Sequence, residues 1–140
     1  MDLILWRHAD AEEGADDMAR KLTAKGEAQA AKVGAWLRKR LPKDAVVVSS
    51  PAVRAQQTAK ALGLAIVTDK TIAPGASPAA IVKAAEKHRG TVVLVGHQPD
   101  FGRALAHIVA GEDAEWAIEK GGFWWLSGKS VKAVMSPDLL

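Results

Sequence analysis

Two short fragments, far apart in the chain, each place a histidine directly after an apolar stretch. They are Leu5-Trp6-Arg7-His8-Ala9 and Val95-Gly96-His97-Gln98-Pro99. Each stretch predicts a buried strand, and open α/β sheets bind ligands at the carboxyl ends of their strands. One imidazole could attack there as a nucleophile while the other stabilises developing charge, and the guanidinium fork of Arg7 matches a phosphoryl group. These residue types predict phosphoryl transfer through a phosphorylated histidine.

Composition restricts the classes to which this chain can belong. Its 140 residues, 49% of them hydrophobic, predict a single domain spanning residues 1–140. The net charge of +3 is mild, and no basic block interleaved with aromatic residues suggests nucleic-acid binding. The absence of cysteine excludes disulfides, thiol nucleophiles and cysteine-bound zinc. No apolar run approaches the roughly 20 residues of a membrane span, and no basic leader precedes Leu3, so a cytoplasmic protein is expected.

Strand and helix signals alternate along the chain, which predicts an α/β layered fold. The stretch 91–95, which is fully apolar after its first residue, is typical of a central parallel strand buried on both faces. Ser50-Pro51 and Ser77-Pro78 each predict a helix start, with serine as N-cap and proline in the first turn. The predicted strands are 3–6, 45–48, 65–68 and 91–95; the predicted helices are 23–41, 51–63, 78–88 and 100–110; and 123–126 with 131–134 forms an antiparallel pair.

A third fragment, Ser49 to Ala59, follows the second predicted strand and contains the pattern Ser-Pro-x-x-Arg-Ala-x-Gln-Thr. Together with Arg7-His8 and the later Gly-His-x-Pro, it resembles the histidine phosphatase superfamily, which includes phosphoglycerate mutases and acid phosphatases. The short chain is similar to the SixA-type phosphohistidine phosphatase branch. That resemblance implies a single-domain, three-layer α/β/α sandwich of the phosphoglycerate mutase type, with a mostly parallel central sheet.

The resemblance also implies a role for each of five residues. His8 would be the nucleophile, and a neutral imidazole suits that role because its ordinary pKa lies near 6.5. Arg7 and Arg54 would bind the phosphoryl oxygens, and His97, as a cation, would complete the pocket and stabilise the transition state. Arg20 would be a further phosphate contact. No metal or other cofactor is expected, because these fixed cations neutralise the phosphoryl charge.

One departure from the larger family members bears on the substrate. They carry an acidic proton donor downstream of the third strand, whereas residues 71–78 contain no carboxylate, although Asp10, Asp69 or Asp100 could fold into the site. An alkoxide leaving group needs a proton, and general acid catalysis contributes about 10²–10⁴-fold. An imidazole leaving group is far less basic. The missing carboxylate therefore favours phosphohistidine as the substrate.

Three functions remain open on the sequence. The first is a metal-independent phosphatase acting on a phosphohistidine-bearing protein, and the second is a phosphomonoesterase acting on a small phosphorylated substrate. The third is a phosphate-binding module without turnover, which an intact nucleophile and two arginine anchors disfavour. No nucleic-acid or membrane partner is expected, and the chain is expected to act as a monomer.

Overall fold

A six-stranded sheet forms the middle layer of the computed structural model, which describes residues 1–140. Its order is β3-β2-β4-β1-β5-β6. The four strands from β3 to β1 run parallel, whereas β5 and β6 are antiparallel to their neighbours. The strands are β1 (Asp2–Arg7), β2 (Val46–Ser49), β3 (Ile66–Thr68), β4 (Thr91–Gly96), β5 (Phe123–Ser127) and β6 (Ser130–Met135).

Four helices connect and cover these strands. The Thr23 hydroxyl accepts from the N–H of Gly26 and caps α1, and the Ser77 hydroxyl accepts from the N–H of Ala80 and caps α3, as predicted. No helix is both long and apolar enough to cross a membrane. The helices are α1 (Ala24–Arg40), α2 (Val53–Lys60), α3 (Pro78–Glu86) and α4 (Asp100–Ala110).

The core lies on both faces of the sheet, because alternate residues of a strand point to opposite sides. Leu3 and Leu5 of β1 belong to the cluster packed with α3 and α4. Ile4 and Trp6 belong to the cluster packed with α1 and α2. The predicted three-layer α/β/α sandwich with a mostly parallel sheet is confirmed.

The start of α2 differs from the prediction. Ser50 was expected to cap this helix, but α2 begins at Val53, and its N-cap residue, Ala52, makes no side-chain cap bond. The Ser50 hydroxyl instead accepts from the N–H of Ala52 and bonds the ring of His97 at 2.7 Å. The Ser50-Pro51 signal therefore marks a turn that connects β2 to the edge of the sheet where the histidines lie.

Candidate active site

The carboxyl ends of β1 and β4 bring the two histidines of the sequence motifs together. β1 ends at Arg7, and the N–H of His8 donates to the carbonyl oxygen of Gly96 at 3.0 Å. The rings of His8 and His97 lie 5.3 Å apart between centroids. A Cβ atom at Gly96 would lie 2.5 Å from the ring of Phe101, so only glycine fits where β4 turns into α4. This close packing fixes the position of the second histidine.

His8 is held as a neutral imidazole with one free nitrogen. Its Nδ1 lies 2.7 Å from the carbonyl oxygen of Ala9. A carbonyl can only accept, so Nδ1 carries the proton and Nε2 keeps its lone pair. Burial lowers the pKa of His8 to about 4, against the opposing effect of the Ala9 bond and with help from the positive charges of Arg54 and Arg7. The free Nε2 is therefore available as a nucleophile at neutral pH.

His97 is also held as a neutral ring. Only 3% of the residue is exposed, and its Nε2 lies 2.7 Å from the Ser50 hydroxyl oxygen. Burial lowers the pKa of His97 to about 3; His8, once protonated in acid, and Arg54 contribute in the same direction. The sequence analysis expected a cation here. In this surrounding His97 is neutral at neutral pH, because burial disfavours the charged ring and the charges of Arg54 and Arg20 oppose it further, against the single carboxylate of Asp17.

Two arginines reach the same cleft with part of each guanidinium unpaired. Arg7 donates through Nη1 to the carbonyl oxygen of Ile118 at 2.8 Å. Arg54, 4% exposed, donates through Nη1 to the carbonyl oxygen of Asp17 at 2.6 Å and through Nη2 to its carboxylate at 3.1 Å. The Nε atoms of both arginines are buried without a hydrogen-bond partner. Buried donors of this kind are seldom left unsatisfied.

Asp17 is a site residue that the sequence analysis missed. Its carboxylate lies between two arginines, since the other oxygen accepts from Nη1 of Arg20 at 3.0 Å. These bonds, led by the one from Arg20, lower the pKa of Asp17. Nothing in a local sequence pattern pairs Asp17 with Arg54, 37 residues away. In the sequence, the indication that Asp17 belongs to the site was its position three residues before Arg20, a predicted site residue.

All five residues expected at the site line one open cleft of about 570 Å³. Of the three carboxylates considered as acids, Asp100 lines it, whereas Asp10 and Asp69 do not. Asp10 bonds Thr23 and Lys120, and Asp69 bonds Thr71 and Lys87. The lining residues are Arg7, His8, Ala11, Glu13, Asp17, Arg20, Arg54, Pro74, Gly75, His97, Gln98, Pro99, Asp100 and Lys120.

Comparison with known sequences supports the resemblance carried by these motifs. The sequence profile of the histidine phosphatase superfamily, branch 1, matches residues 3–75, just over half of the chain. A curated but uncharacterised protein from Picosynechococcus sp. is 33% identical over 124 residues, covering 80% of this chain and 75% of the relative.

Solved structures show the same architecture over nearly the whole chain. A protein from Nakamurella multipartitia, assigned as the phosphohistidine phosphatase SixA, has a TM-score of 0.84 at 27% identity, covering 97% of this chain and 95% of that one. A protein from Agrobacterium tumefaciens with the same assignment has a TM-score of 0.81 at 25% identity, covering 97% of each chain. The protein histidine phosphatase SixA complexed with tungstate shares the fold, with a TM-score of 0.83 at 22% identity over 99% of both chains.

Proposed function

The chain belongs to the histidine phosphatase superfamily, and on that premise we propose that it removes the phosphoryl group from phosphohistidine on a protein, through a phosphorylated His8. The SixA-type structures that it resembles are assigned to that activity. The cleft residues Arg7, Arg20, Arg54 and His97 bind the phosphoryl group in this proposal.

One observation carries the proposal: three buried nitrogens without hydrogen-bond partners belong to side chains that line the same cleft as a nucleophilic histidine. They are Nε of Arg7, Nε of Arg54 and Nδ1 of His97, and all three side chains line the cleft that contains His8. An unsatisfied buried donor costs about 1–3 kcal/mol. A phosphoryl group has several acceptor oxygens and two negative charges, and so it would satisfy such donors together.

The chemistry takes two displacements at phosphorus. The lone pair of His8 Nε2 attacks the phosphorus, and the P–N bond to the substrate imidazole breaks with its electron pair on the leaving nitrogen. The Ala9 carbonyl keeps the proton on Nδ1 and stabilises the positive charge that the ring acquires. Water then attacks the phosphorus, the bond to Nε2 breaks, and inorganic phosphate leaves with neutral His8 restored. The arginines stabilise the oxygen charge in both displacements.

The leaving group supports phosphohistidine over a phosphate ester. Asp17, between two arginines, has a lowered pKa and is ionised at neutral pH, so it is a poor proton donor. Departing imidazole does not require a strong acid, since a phosphorylated ring can carry its own proton near neutral pH. An alkoxide would require one.

A second candidate is a small-molecule phosphomonoesterase. It is favoured by two further carboxylates that line the cleft, Glu13 and Asp100. Asp100 is buried and accepts from the N–H of Gly75 at 2.8 Å. Either carboxylate could protonate an ester oxygen if it took up a proton. The third candidate from the sequence, a phosphate-binding module, has no use for the free Nε2 of His8.

Intact-mass spectrometry tests the proposal directly. The wild-type protein and His8→Ala are each mixed with a histidine-phosphorylated protein in EDTA and quenched at high pH, because phosphohistidine is labile in acid. We expect the substrate to lose its phosphoryl group with wild type, with a transient phosphoryl adduct on the enzyme. His8→Ala should show neither, because it lacks the attacking nitrogen.

The matched control is His107→Ala, which removes an exposed histidine outside the cleft and should behave as wild type. Turnover by His8→Ala would rule out the covalent route. Hydrolysis of sugar phosphates, with phosphohistidine left intact, would establish the esterase instead. If wild type and His8→Ala both bind phosphate and neither turns over any substrate, the protein is a phosphate-binding module.

A further inference from the structure

Ser50 is held rigidly beneath the second histidine. Its N–H donates to the carbonyl oxygen of Val95 at 3.0 Å, and its own carbonyl accepts from the Ser49 hydroxyl and from Gln56 Nε2, each at 2.9 Å. The residue is completely buried. Its hydroxyl oxygen is therefore fixed at 2.7 Å from Nε2 of His97.

The direction of that hydrogen bond follows from counting donors and acceptors. The Ser50 oxygen already accepts from the N–H of Ala52 at 3.2 Å. The hydroxyl proton has one acceptor within reach, the Nε2 of His97, since no carbonyl or carboxylate oxygen bonds this hydroxyl. Reversing the bond would bury an O–H without an acceptor, which is costly. The neutral ring of His97 then has its lone pair on Nε2.

We infer that Ser50 is a positioning residue that fixes the tautomer of His97, by donating its hydroxyl proton to Nε2 and thereby leaving the ring proton on Nδ1. Nδ1 is the nitrogen that has no partner within the protein. Burial lowers the pKa of His97, so the ring carries a single proton at neutral pH.

The tautomer decides what His97 can do in the cleft. An N–H at Nδ1 can donate to a phosphoryl oxygen, whereas a lone pair at Nδ1 would repel it. This consequence rests on the proposed function, but the tautomer itself does not depend on any substrate. His97 would then act as a neutral donor fixed from behind by a serine, as the carbonyl of Ala9 fixes His8.

The wild-type protein alone tests the tautomer. With ¹⁵N-labelled histidine at mildly alkaline pH, the couplings of ring nitrogens to ring protons identify Nδ1 and Nε2, and His97→Gln assigns the His97 signals. We expect the shift of a protonated nitrogen at Nδ1 and of an unprotonated one at Nε2. The reverse pattern, or two protonated nitrogens, would overturn the inference whatever the protein hydrolyses.

Ser50→Ala tests whether the serine is the cause. The variant should move the proton of His97 toward Nε2 and lower kcat/KM on a histidine-phosphorylated protein about tenfold, the size of one lost hydrogen bond. Ser50→Thr keeps the hydroxyl and should retain the wild-type tautomer. Ser77→Ala is the control, because it also removes a serine hydroxyl with a backbone hydrogen bond, at the start of α3, outside the cleft and away from His97.

An unchanged tautomer in Ser50→Ala would overturn the positioning role, as would an equal change in Ser77→Ala. Should a variant fail to fold, the wild-type spectrum still decides the tautomer. Inorganic orthophosphate then separates this inference from the proposed function. A shift of the His97 Nδ1 signal on titration supports both. If His97 has the expected tautomer but its Nδ1 signal does not shift with orthophosphate, the inference about the tautomer holds and the proposed contact between His97 and phosphate is wrong.

Discussion

The two sides of the cleft meet at the guanidinium of Arg54 but are built from different interactions. On one side, the strand ends place His8, Ser50 and His97 among buried atoms with backbone or hydroxyl partners. On the other side, residues 10–22 form a loop whose short 3₁₀ turn, Asp17–Ala19, has no buried residue. The side chain of Asp17 is 56% exposed.

Because of this difference, the strand-end residues keep their positions when a phosphoryl group binds, whereas the loop contacts can be exchanged for contacts with that group. An exposed ion pair contributes only about 0–1 kcal/mol, because water competes for both charges. The Asp17 carboxylate can therefore yield Arg20 to a phosphoryl group at little cost, and at the buried Arg54 the phosphoryl charge would take the place of the carboxylate. The strand-end side cannot rearrange in that way, since its donors are buried and packed. In the proposed mechanism, the chemistry depends on the rigid side, and the loop side adjusts the affinity for anions.

Replacing the buried Arg54, where the two sides meet, and Arg20 on the loop side should give the largest contrast. We expect Arg54→Gln to lower kcat/KM on a histidine-phosphorylated protein by about 10²–10³-fold, the range for loss of one preorganised donor to a transition-state oxygen. Arg20→Gln should cost about tenfold or less, because its side chain is 22% exposed and water replaces part of its charge. Initial rates, with circular dichroism as a check on folding, compare the two. Equal losses would contradict the division between the two sides.

The buried histidines should make the stability of the fold depend on pH. Their pKa values in the folded state, about 4 for His8 and about 3 for His97, lie below the ordinary histidine value of about 6.5, so the unfolded chain binds more protons. The free energy of unfolding is therefore highest above pH 6.5 and falls as the pH drops toward these values. Each unit by which a pKa is lowered corresponds to about 1.4 kcal/mol.

Urea unfolding between about pH 7 and pH 5 measures this effect, above the range in which carboxylates titrate. His97→Gln should reduce the fall in stability with pH. His107→Gln, which changes an exposed histidine outside the cleft, should leave the fall unchanged. If the free energy of unfolding of the wild type does not change between about pH 7 and pH 5, the strand-end side does not bury neutral histidines.

The smallest expected effect comes from the loop itself. Asp17→Asn should tighten binding of inorganic orthophosphate by roughly twofold to fivefold, since an exposed charge that competes for both arginines is removed. The backbone carbonyl of Asp17 still holds Nη1 of Arg54 in this variant. Isothermal titration calorimetry measures the dissociation constant, with Asp16→Asn as the control because that exposed carboxylate has no side-chain hydrogen bond to either arginine. Weaker binding would mean that Asp17 holds Arg54 in place rather than competing for it.

The same contrast explains what the sequence could predict. The alternation of strands and helices and the Ser77 cap depend on local patterns, and the structure has them. Arg7, His8 and His97 follow apolar strands, so their meeting at one sheet edge follows from parallel pairing. The pairing of Asp17 with Arg54 depends on how a loop returns to a distant helix, which no local pattern specifies. Ser50 was misinterpreted as a cap because its hydroxyl bonds a residue far along the chain instead.

The central position of β1 also has a consequence for biosynthesis. β1 is the first strand to be made, but its parallel neighbour, β4, ends at Gly96, in the second half of the chain. Its other neighbour, β5, comes later still. A growing chain on the ribosome therefore carries His8 long before that residue has the partners that bury it. Because such long-range pairing is slow relative to local helix formation, phosphatase activity should appear late in folding and report on the joining of β1 to β4.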